Sequence, residues 1–390
     1  MKICFWASTF QADIQAMACH LANKEENEVL VALKNPEQYK QQPVEKILPF
    51  KGEIIQRDTF KAWWRLMRFN PDILVVDNHL PHYRPKRMYV LWHGYGWRMD
   101  HPERMRRNMS KRVGEVTQPN DRFRWQALGP FDYDFTKGHR GIHKDNLVTL
   151  GSPYSDLLRP ESLLSKNFNR ELMADGYPGI DVVNRPNVLI GMTWHHGGLL
   201  GHWGEEWELL DKLLNHINKL GANAILRMHD RKRYDADYLD AITRFCSKRD
   251  GVILKFKSES PDSLVDILIS DLLITNYSSF ANLFYYTLRP SIHIVPPDAG
   301  EGLVMRQWSQ KGISTELVHN QEGFWKHPPE DMGGLRAFSF DELLQCVDKA
   351  VNEKDCCVDI ATDYIARHIE QPNGESCERL EQYFKQWIQK

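Results

Sequence analysis

The sequence predicts an α/β protein built of two Rossmann-like domains facing across a cleft. Three observations carry this expectation. At 390 residues the chain exceeds what one hydrophobic core ordinarily organises, so two domains are expected. Short apolar runs alternate with helical stretches in two successive series, the pattern of parallel strands joined by crossover helices. Three of these runs also end in polar residues, just past the carboxyl ends of strands, where open α/β sheets bind ligands.

In the first series, strand Ile3 to Ala7 precedes a helix from about Ile14 to Asn23 and a strand Val29 to Leu33. A helix around Phe60 to Phe69 follows, then strands Ile73 to Asp77 and Met88 to Trp92. The turn after the first strand reads Ala7-Ser8-Thr9-Phe10-Gln11 and lacks the Gly-x-Gly-x-x-Gly fingerprint, so no dinucleotide cofactor is expected. The turn-rich stretch around Gly176-Tyr177-Pro178-Gly179 sets the expected boundary, with domains 1–180 and 181–390. The second series has strands Val188 to Met192, Ala224 to Arg227, Val252 to Lys255, Leu272 to Thr275 and Ser291 to Val295. Between them stand helices Trp207 to Leu220, Tyr238 to Cys246 and Leu264 to Ile269. The tail from Glu375 spaces Leu380, Tyr383, Phe384 and Trp387 for one helical face, as in a closing core helix.

A formal charge of -2 with 42% hydrophobic residues excludes a global nucleic-acid-binding charge, and no nucleic-acid partner is expected. No apolar run approaches the roughly 18 residues of a membrane span, and the opening Met1-Lys2-Ile3-Cys4 has no signal-peptide layout. Seven cysteines without paired spacing read as free thiols in a reducing cytosol, so a cytoplasmic location is expected. The segment Arg84 to Arg124 is rich in Arg and Lys and follows a helix carrying Trp63, Trp64 and Met67. Basic residues beside tryptophan suit an anionic membrane surface or a phosphate-rich polymer. The expectation for the helix itself is nonetheless that its aromatic residues pack on the sheet.

The strand-end residues define the candidate site. His93 ends one run and is followed by Gly94, which lets a ligand approach the backbone; imidazole titrates near neutral pH and suits a general base. Taken alone, His93 reads more readily as a satisfied core histidine. Arg227 and His229 share a strand face and so can converge on one ligand, or belong to a surface ion cluster with Asp230, Arg231 and Lys232. Thr275, Ser278 and Ser279 suit a phosphate cradle at a helix start, although a serine pair there is commonly only a cap. His195 and His196, after the first strand of the second series, are further candidate contacts; with His202 they lack metal-ligand spacing, so no metal site is expected.

In order and spacing, Trp92-His93-Gly94, Arg227-Met228-His229 and Thr275-Asn276-Tyr277-Ser278-Ser279 resemble the Trp-His-Gly, Arg-x-His and Thr-Asp-Tyr-Ser-Ser motifs of the CDP-glycerol glycerophosphotransferase family. Gly151-Ser152-Pro153-Tyr154-Ser155-Asp156 is similar to the family's Gly-x-Pro-Arg-x-Asp segment. Departures are Tyr95-Gly96 for Thr-Pro, Asp230 for proline and Asn276 for aspartate. The resemblance implies a GT-B-like fold, with an acceptor-side first domain and a nucleotide-donor second domain. It implies transfer of a polyol phosphate from a CDP-activated polyol donor, glycerol phosphate foremost, to a lipid-linked or polymer acceptor at the inner face of the cell membrane, with release of CMP. His93 is then the base and His229 the acid, with Arg227, Thr275, Ser278, Ser279, Gly94 and His195 on the donor and no cofactor. A nucleotide-sugar glycosyltransferase and a catalytically silent polymer- or lipid-binding protein are the rival expectations.

Overall fold

The computed structural model describes the chain except residues 40–42, 78, 92–101, 193–199, 232–233, 296–301, 310–311, 320–325, 327 and 329, with 302–309 and 312–319 described as backbone only. The elements of the first part are β1 (Lys2–Trp6), α1 (Ala12–Ala22), β2 (Glu28–Leu33), β3 (Glu53–Gln56), α2 (Phe60–Phe69), β4 (Ile73–Val76), β5 (Met88–Val90), α3 (Pro102–Val113), β6 (Phe123–Gln126), α4 (Pro130–Gly138), β7 (Leu147–Val148), α5 (Ser155–Leu158) and α6 (Leu163–Lys166). There follow β8 (Asn187–Ile190), α7 (Glu206–Lys219), β9 (Asn223–Met228), α8 (Ala236–Ser247), β10 (Val252–Phe256), α9 (Leu264–Ile269), β11 (Leu272–Thr275), α10 (Phe280–Tyr285) and β12 (Ser291–Ile294). An antiparallel hairpin, β13 (Gly302–Ser309) and β14 (Gly312–His319), precedes β15 (Leu335–Ala337), α11 (Phe340–Asn352), α12 (Val358–His368) and α13 (Ser376–Gln389).

The strands form two parallel sheets. One runs β3-β2-β1-β4-β5-β6-β7 and the other β10-β9-β8-β11-β12-β15. Each reverses direction of growth once, between β1 and β4 in the first and between β8 and β11 in the second, as in a doubly wound nucleotide-binding sheet. The all-apolar strands such as Ile73-Leu74-Val75-Val76 follow from burial on both faces, because crossover helices cover a parallel sheet on either side.

The chain divides into two compact units, one containing the residues up to Lys166 together with Ile365–Lys390, the other Asn167–Tyr364. The division therefore falls before the expected boundary at 180/181, and the tail belongs with the first unit. Its physical cause is a set of contacts invisible to local pattern. On α13, Phe384 meets the buried Tyr89 ring edge-on at 4.9 Å, and the Trp387 Nε1–H donates to the Asp121 carbonyl at 2.8 Å. Glu381 of α13 is buried between Lys24 (2.5 Å), His20 (2.9 Å) and Lys385 (2.9 Å). Burial raises this carboxyl's pKa, but hydrogen bonds from Lys24, Lys385 and His20 hold it down to about 2. The His20–Glu378–Glu381 group has metal-ligand spacing, yet its buried carboxylate is already neutralised by two ammonium groups.

The Gly151-to-Asp156 segment makes the clasp for this tail. Asp156 accepts from the first amides of α13, Ser376 N–H (3.0 Å) and Cys377 N–H (2.7 Å), while Ser152 Oγ and Tyr154 N–H donate to Asp13 at the start of α1. Gly151 has φ +80°, and a Cβ there would stand 2.5 Å from Ser376 Oγ and 2.9 Å from the Glu370 carbonyl. Gly151→Ala is therefore expected to cost about 1–3 kcal/mol and to loosen α13 first. Earlier protease release of the tail, with a lower urea midpoint, is the outcome that checks it.

The reading of α2 is corrected. Its sheet-facing residues are Ala62, Leu66 and Phe69, whereas Phe60, Trp63, Trp64 and Met67 stand exposed. The helix begins where Thr59 Oγ1 accepts from Ala62 N–H and ends at Asn70 in the left-handed conformation, so its length follows from ordinary caps.

Candidate functional site

The second sheet positions the best-described candidates. At the switch point, the Thr275 hydroxyl donates to the Gly191 carbonyl at 2.6 Å and the Gly191 N–H donates to Ile274 at 2.9 Å, tying the ends of β8 and β11. Thr275 is fully buried, so the expectation that it cradles phosphate is corrected: it is a staple beneath the site. Ser278 and Ser279 are only partly covered, and Ser278 Oγ accepts from Phe280 N–H, the first residue of α10, at 3.3 Å.

Arg227 is likewise reassigned. It pairs in register with Lys255 on β10, and both side chains reach Asp266 of α9. Arg227 Nη1 bonds the Asp266 carboxylate, its Nη2 donates to the Ser260 carbonyl at 2.8 Å, and the Tyr177 hydroxyl donates to the same carboxylate. The guanidinium is thus spent in the core. Alternation gave Arg227 one face of the strand, and on that face its guanidinium is held by Asp266 of α9 and the Ser260 carbonyl.

His229 stands one residue past β9, with its side chain 26% exposed. Its backbone N–H donates to the Tyr234 hydroxyl at 3.2 Å, and Asp230 N–H donates to its Nδ1 at 2.8 Å. An N–H aimed at Nδ1 makes that nitrogen the acceptor, which leaves the proton of the neutral ring on Nε2. The Asp230 carboxylate lies 3.3 Å from the same Nδ1, ready to partner a protonated ring. The residue that departs from the family's proline therefore fixes the tautomer. Arg231 is turned aside to Glu259 at 2.5 Å. His229 follows β9 and Ser278 follows β11, with β8 between them, so roughly 10 Å of sheet edge separates the two strand ends.

In the first sheet the residues flanking the switch point were missed by sequence reasoning. Asp77, fully buried just past β4, accepts from Ser8 N–H (2.7 Å), Ser8 Oγ–H (2.5 Å) and His79 N–H (2.8 Å). The signal was a strand of four apolar residues ending in an acid. His93, Gly94, His195 and His196 lie outside the described residues. In the basic segment, Arg112 and Arg122 donate to the carbonyls of Pro81 and Pro85, while Arg104, Arg107 and Lys111 line an open recess of about 940 Å³.

Residues 3–299 match the family described as CDP-Glycerol:Poly(glycerophosphate) glycerophosphotransferase. The chain belongs to this family. It is accordingly an enzyme, a glycerophosphotransferase, and the expectation of that family is met. No curated protein matches this glycerophosphotransferase in sequence. Among solved structures it is similar to the wall teichoic acid polymerase TagF, with TM-score 0.66, 15% identity, and coverage of 100% of this chain and 89% of that one. A TagF variant gives TM-score 0.67 at 16% identity, again with 100% and 89% coverage. A UDP-GlcNAc 2-epimerase from Neisseria meningitidis bound to UDP-GlcNAc gives TM-score 0.58, 12% identity, and 99% and 100% coverage. At such identities the likeness speaks for the fold, the expected GT-B-like α/β architecture.

Proposed function

We propose that this glycerophosphotransferase moves glycerol phosphate from CDP-glycerol to the terminal hydroxyl of a growing, lipid-linked glycerophosphate polymer of teichoic-acid type, on the cytoplasmic face of a membrane. The acceptor oxygen forms a bond to the glycerol-bearing phosphorus as the bond from that phosphorus to the bridging oxygen breaks, and CMP leaves. The acceptor's proton passes to His93 as general base. His229 meets the leaving phosphate through Nε2–H, and Ser278 and Ser279 add hydroxyl donors. Such transfers depend on positioning and on donors aimed at phosphoryl oxygens, for which a neutral imidazole of fixed tautomer is suited.

The observation that carries this reading is the Asp230 amide on His229 Nδ1 at 2.8 Å, which leaves the neutral ring's proton on Nε2 at the carboxyl edge of the second sheet. The family match favours this reading over a nucleotide-sugar glycosyltransferase and over a silent binding protein. The test is CMP release from CDP-glycerol, CDP-ribitol and UDP-GlcNAc with a short glycerophosphate acceptor. Turnover of CDP-glycerol above the other two is expected; turnover of the sugar nucleotide alone would sink the proposal.

A further inference from the structure

The carboxyl edge of the first sheet carries an imidazole held on a buried carboxylate. At the switch point, Asp77 just past β4 is fully buried, and its two oxygens are divided between two chain segments. Oδ2 accepts from Ser8 N–H at 2.7 Å and from Ser8 Oγ–H at 2.5 Å, which ties the turn after β1 to the end of β4. Oδ1 accepts from His79 N–H at 2.8 Å and lies 3.4 Å from His79 Nδ1, although that side chain is 47% exposed. Among the described residues nothing engages His79 Nε2. The chain beneath the ring is fixed, because Leu80 packs against the apolar core and the Pro81 carbonyl accepts from Arg112 Nε–H at 2.8 Å. A turn cap requires only the His79 amide. A ring turned back onto the same oxygen, and a charge taken out of water at the ligand-binding edge of a parallel sheet, are more than a turn needs.

A carboxylate beside Nδ1 draws the neutral ring's proton to that nitrogen and leaves a lone pair on Nε2. His79 is then the converse of His229, whose Nε2 carries the proton. An ionised phosphoryl oxygen has no hydrogen to give such a nitrogen, whereas a hydroxyl has. The glycerol end of a glycerophosphate acceptor offers two hydroxyls, one of which attacks phosphorus and gives its proton to the base. We infer that His79, oriented by Asp77, accepts a hydrogen bond at Nε2 from the other, non-attacking hydroxyl of the acceptor's terminal glycerol, so that this sheet edge selects a diol end. The inference rests on the transferase reading, in which the base His93 follows β5 in the sequence. That strand lies beside β4, and its next residue Leu91 donates from its N–H to the Val76 carbonyl at 2.9 Å. His79 is the residue that touches the acceptor, and Asp77 is a positioning residue.

The experiment is calorimetric titration of the full chain with two acceptors, a short glycerophosphate oligomer and the same oligomer ending in a 3-hydroxypropyl group. The second keeps the attacking primary hydroxyl and lacks only its neighbour. The wild type is expected to bind the glycerol end about tenfold more tightly, the effect of one hydrogen bond to an otherwise unpaired nitrogen. His79→Ala is expected to bind the two ends equally, through loss on the glycerol end alone. His79→Gln, whose Oε1 can stand near the place of Nε2, is expected to keep part of the preference, which a merely structural role would not produce. Asp77→Asn can set an amide N–H against Nδ1 and is expected to weaken the preference with His79 intact; its thermal midpoint reports whether the fold is kept. Equal binding of both ends by wild type overturns the inference. So does an equal loss on both ends in His79→Ala, the sign of an imidazolium on phosphate, and so does a full preference in folded Asp77→Asn. Binding needs no turnover, so a wild type that releases no CMP would reject the transferase reading, while a diol preference lost in His79→Ala would still place the hydroxyl on His79.

Discussion

His229→Ala is expected to lower CMP release from CDP-glycerol by about a thousandfold, in kcat more than in KM, with thermal stability close to wild type. The side chain is partly exposed just past the end of β9, so its removal opens no cavity in the apolar core and the fold is expected to stay intact. The magnitude is that of a positioned proton donor, about 10²–10⁴-fold. Two further substitutions separate what the ring does. In His229→Gln the amide nitrogen falls near the place of Nε2, so a hydrogen bond to the leaving phosphate survives and proton transfer does not. In His229→Asn the amide falls near Nδ1 and neither survives. Partial rescue by Gln and none by Asn would assign His229 a hydrogen-bonding part; equal loss in both would make it the acid. Activity in His229→Ala equal to wild type removes the residue from the mechanism. Asp230→Asn keeps the backbone N–H on Nδ1 and removes only the carboxylate, so it is expected to shift the pH profile while leaving the tautomer in place.

What was legible in the sequence divides along the range of the contacts involved. Strands such as Ile73–Val76 and helix Phe60–Phe69 are written in consecutive residues, and the second sheet's strand ends emerged where the apolar runs stopped. The four-residue β3, Glu53–Gln56, escaped because only its two central residues are apolar. For α2 the period was clear but ambiguous: both 62/66/69 and 60/63/64/67 satisfy helical spacing, and the larger aromatic set drew the core assignment. Packing decided otherwise, since Leu66 and Phe69 fit against the sheet. The tail's apolar face gave its helix, yet its partners Tyr89, Asp121 and Lys24 lie more than 250 residues upstream. Within the site, His229 could be placed from its strand, whereas the fate of Arg227 depended on Asp266, 39 residues later on another element. A motif of Arg and His two residues apart thus looked like one ligand-binding pair and separates into a buried buttress and an exposed imidazole.

That buttress carries the largest expected effect on stability. Asp266→Ala should destabilise the second unit by about 3–5 kcal/mol, because it leaves the buried Arg227 guanidinium without its counter-charge. Asp266 is fully buried and serves Arg227, Lys255 (2.6 Å) and the Tyr177 hydroxyl at once. The cost is thus that of stranding partners, and an apolar replacement of the main pair tests it: Arg227→Met/Asp266→Leu should be less destabilising than Asp266→Ala alone. Burial raises the Asp266 carboxyl's pKa, but Lys255 and Arg227 more than offset this and hold it below the ordinary carboxylate value. A carboxyl depressed in the folded state contributes stability that is complete above its unfolded pKa of about 4 and is lost as pH falls toward its folded value. Wild-type urea midpoints should therefore fall below about pH 4 by more than those of Asp266→Ala, which has no such carboxyl to protonate. Because β9 carries Arg227 at its penultimate position and His229 just past its end, Asp266→Ala should also lower kcat at temperatures where the chain remains folded. A variant with wild-type midpoints and parallel acid sensitivity would mean that Arg227 finds another partner, and the ion pair beneath the site would lose its structural role.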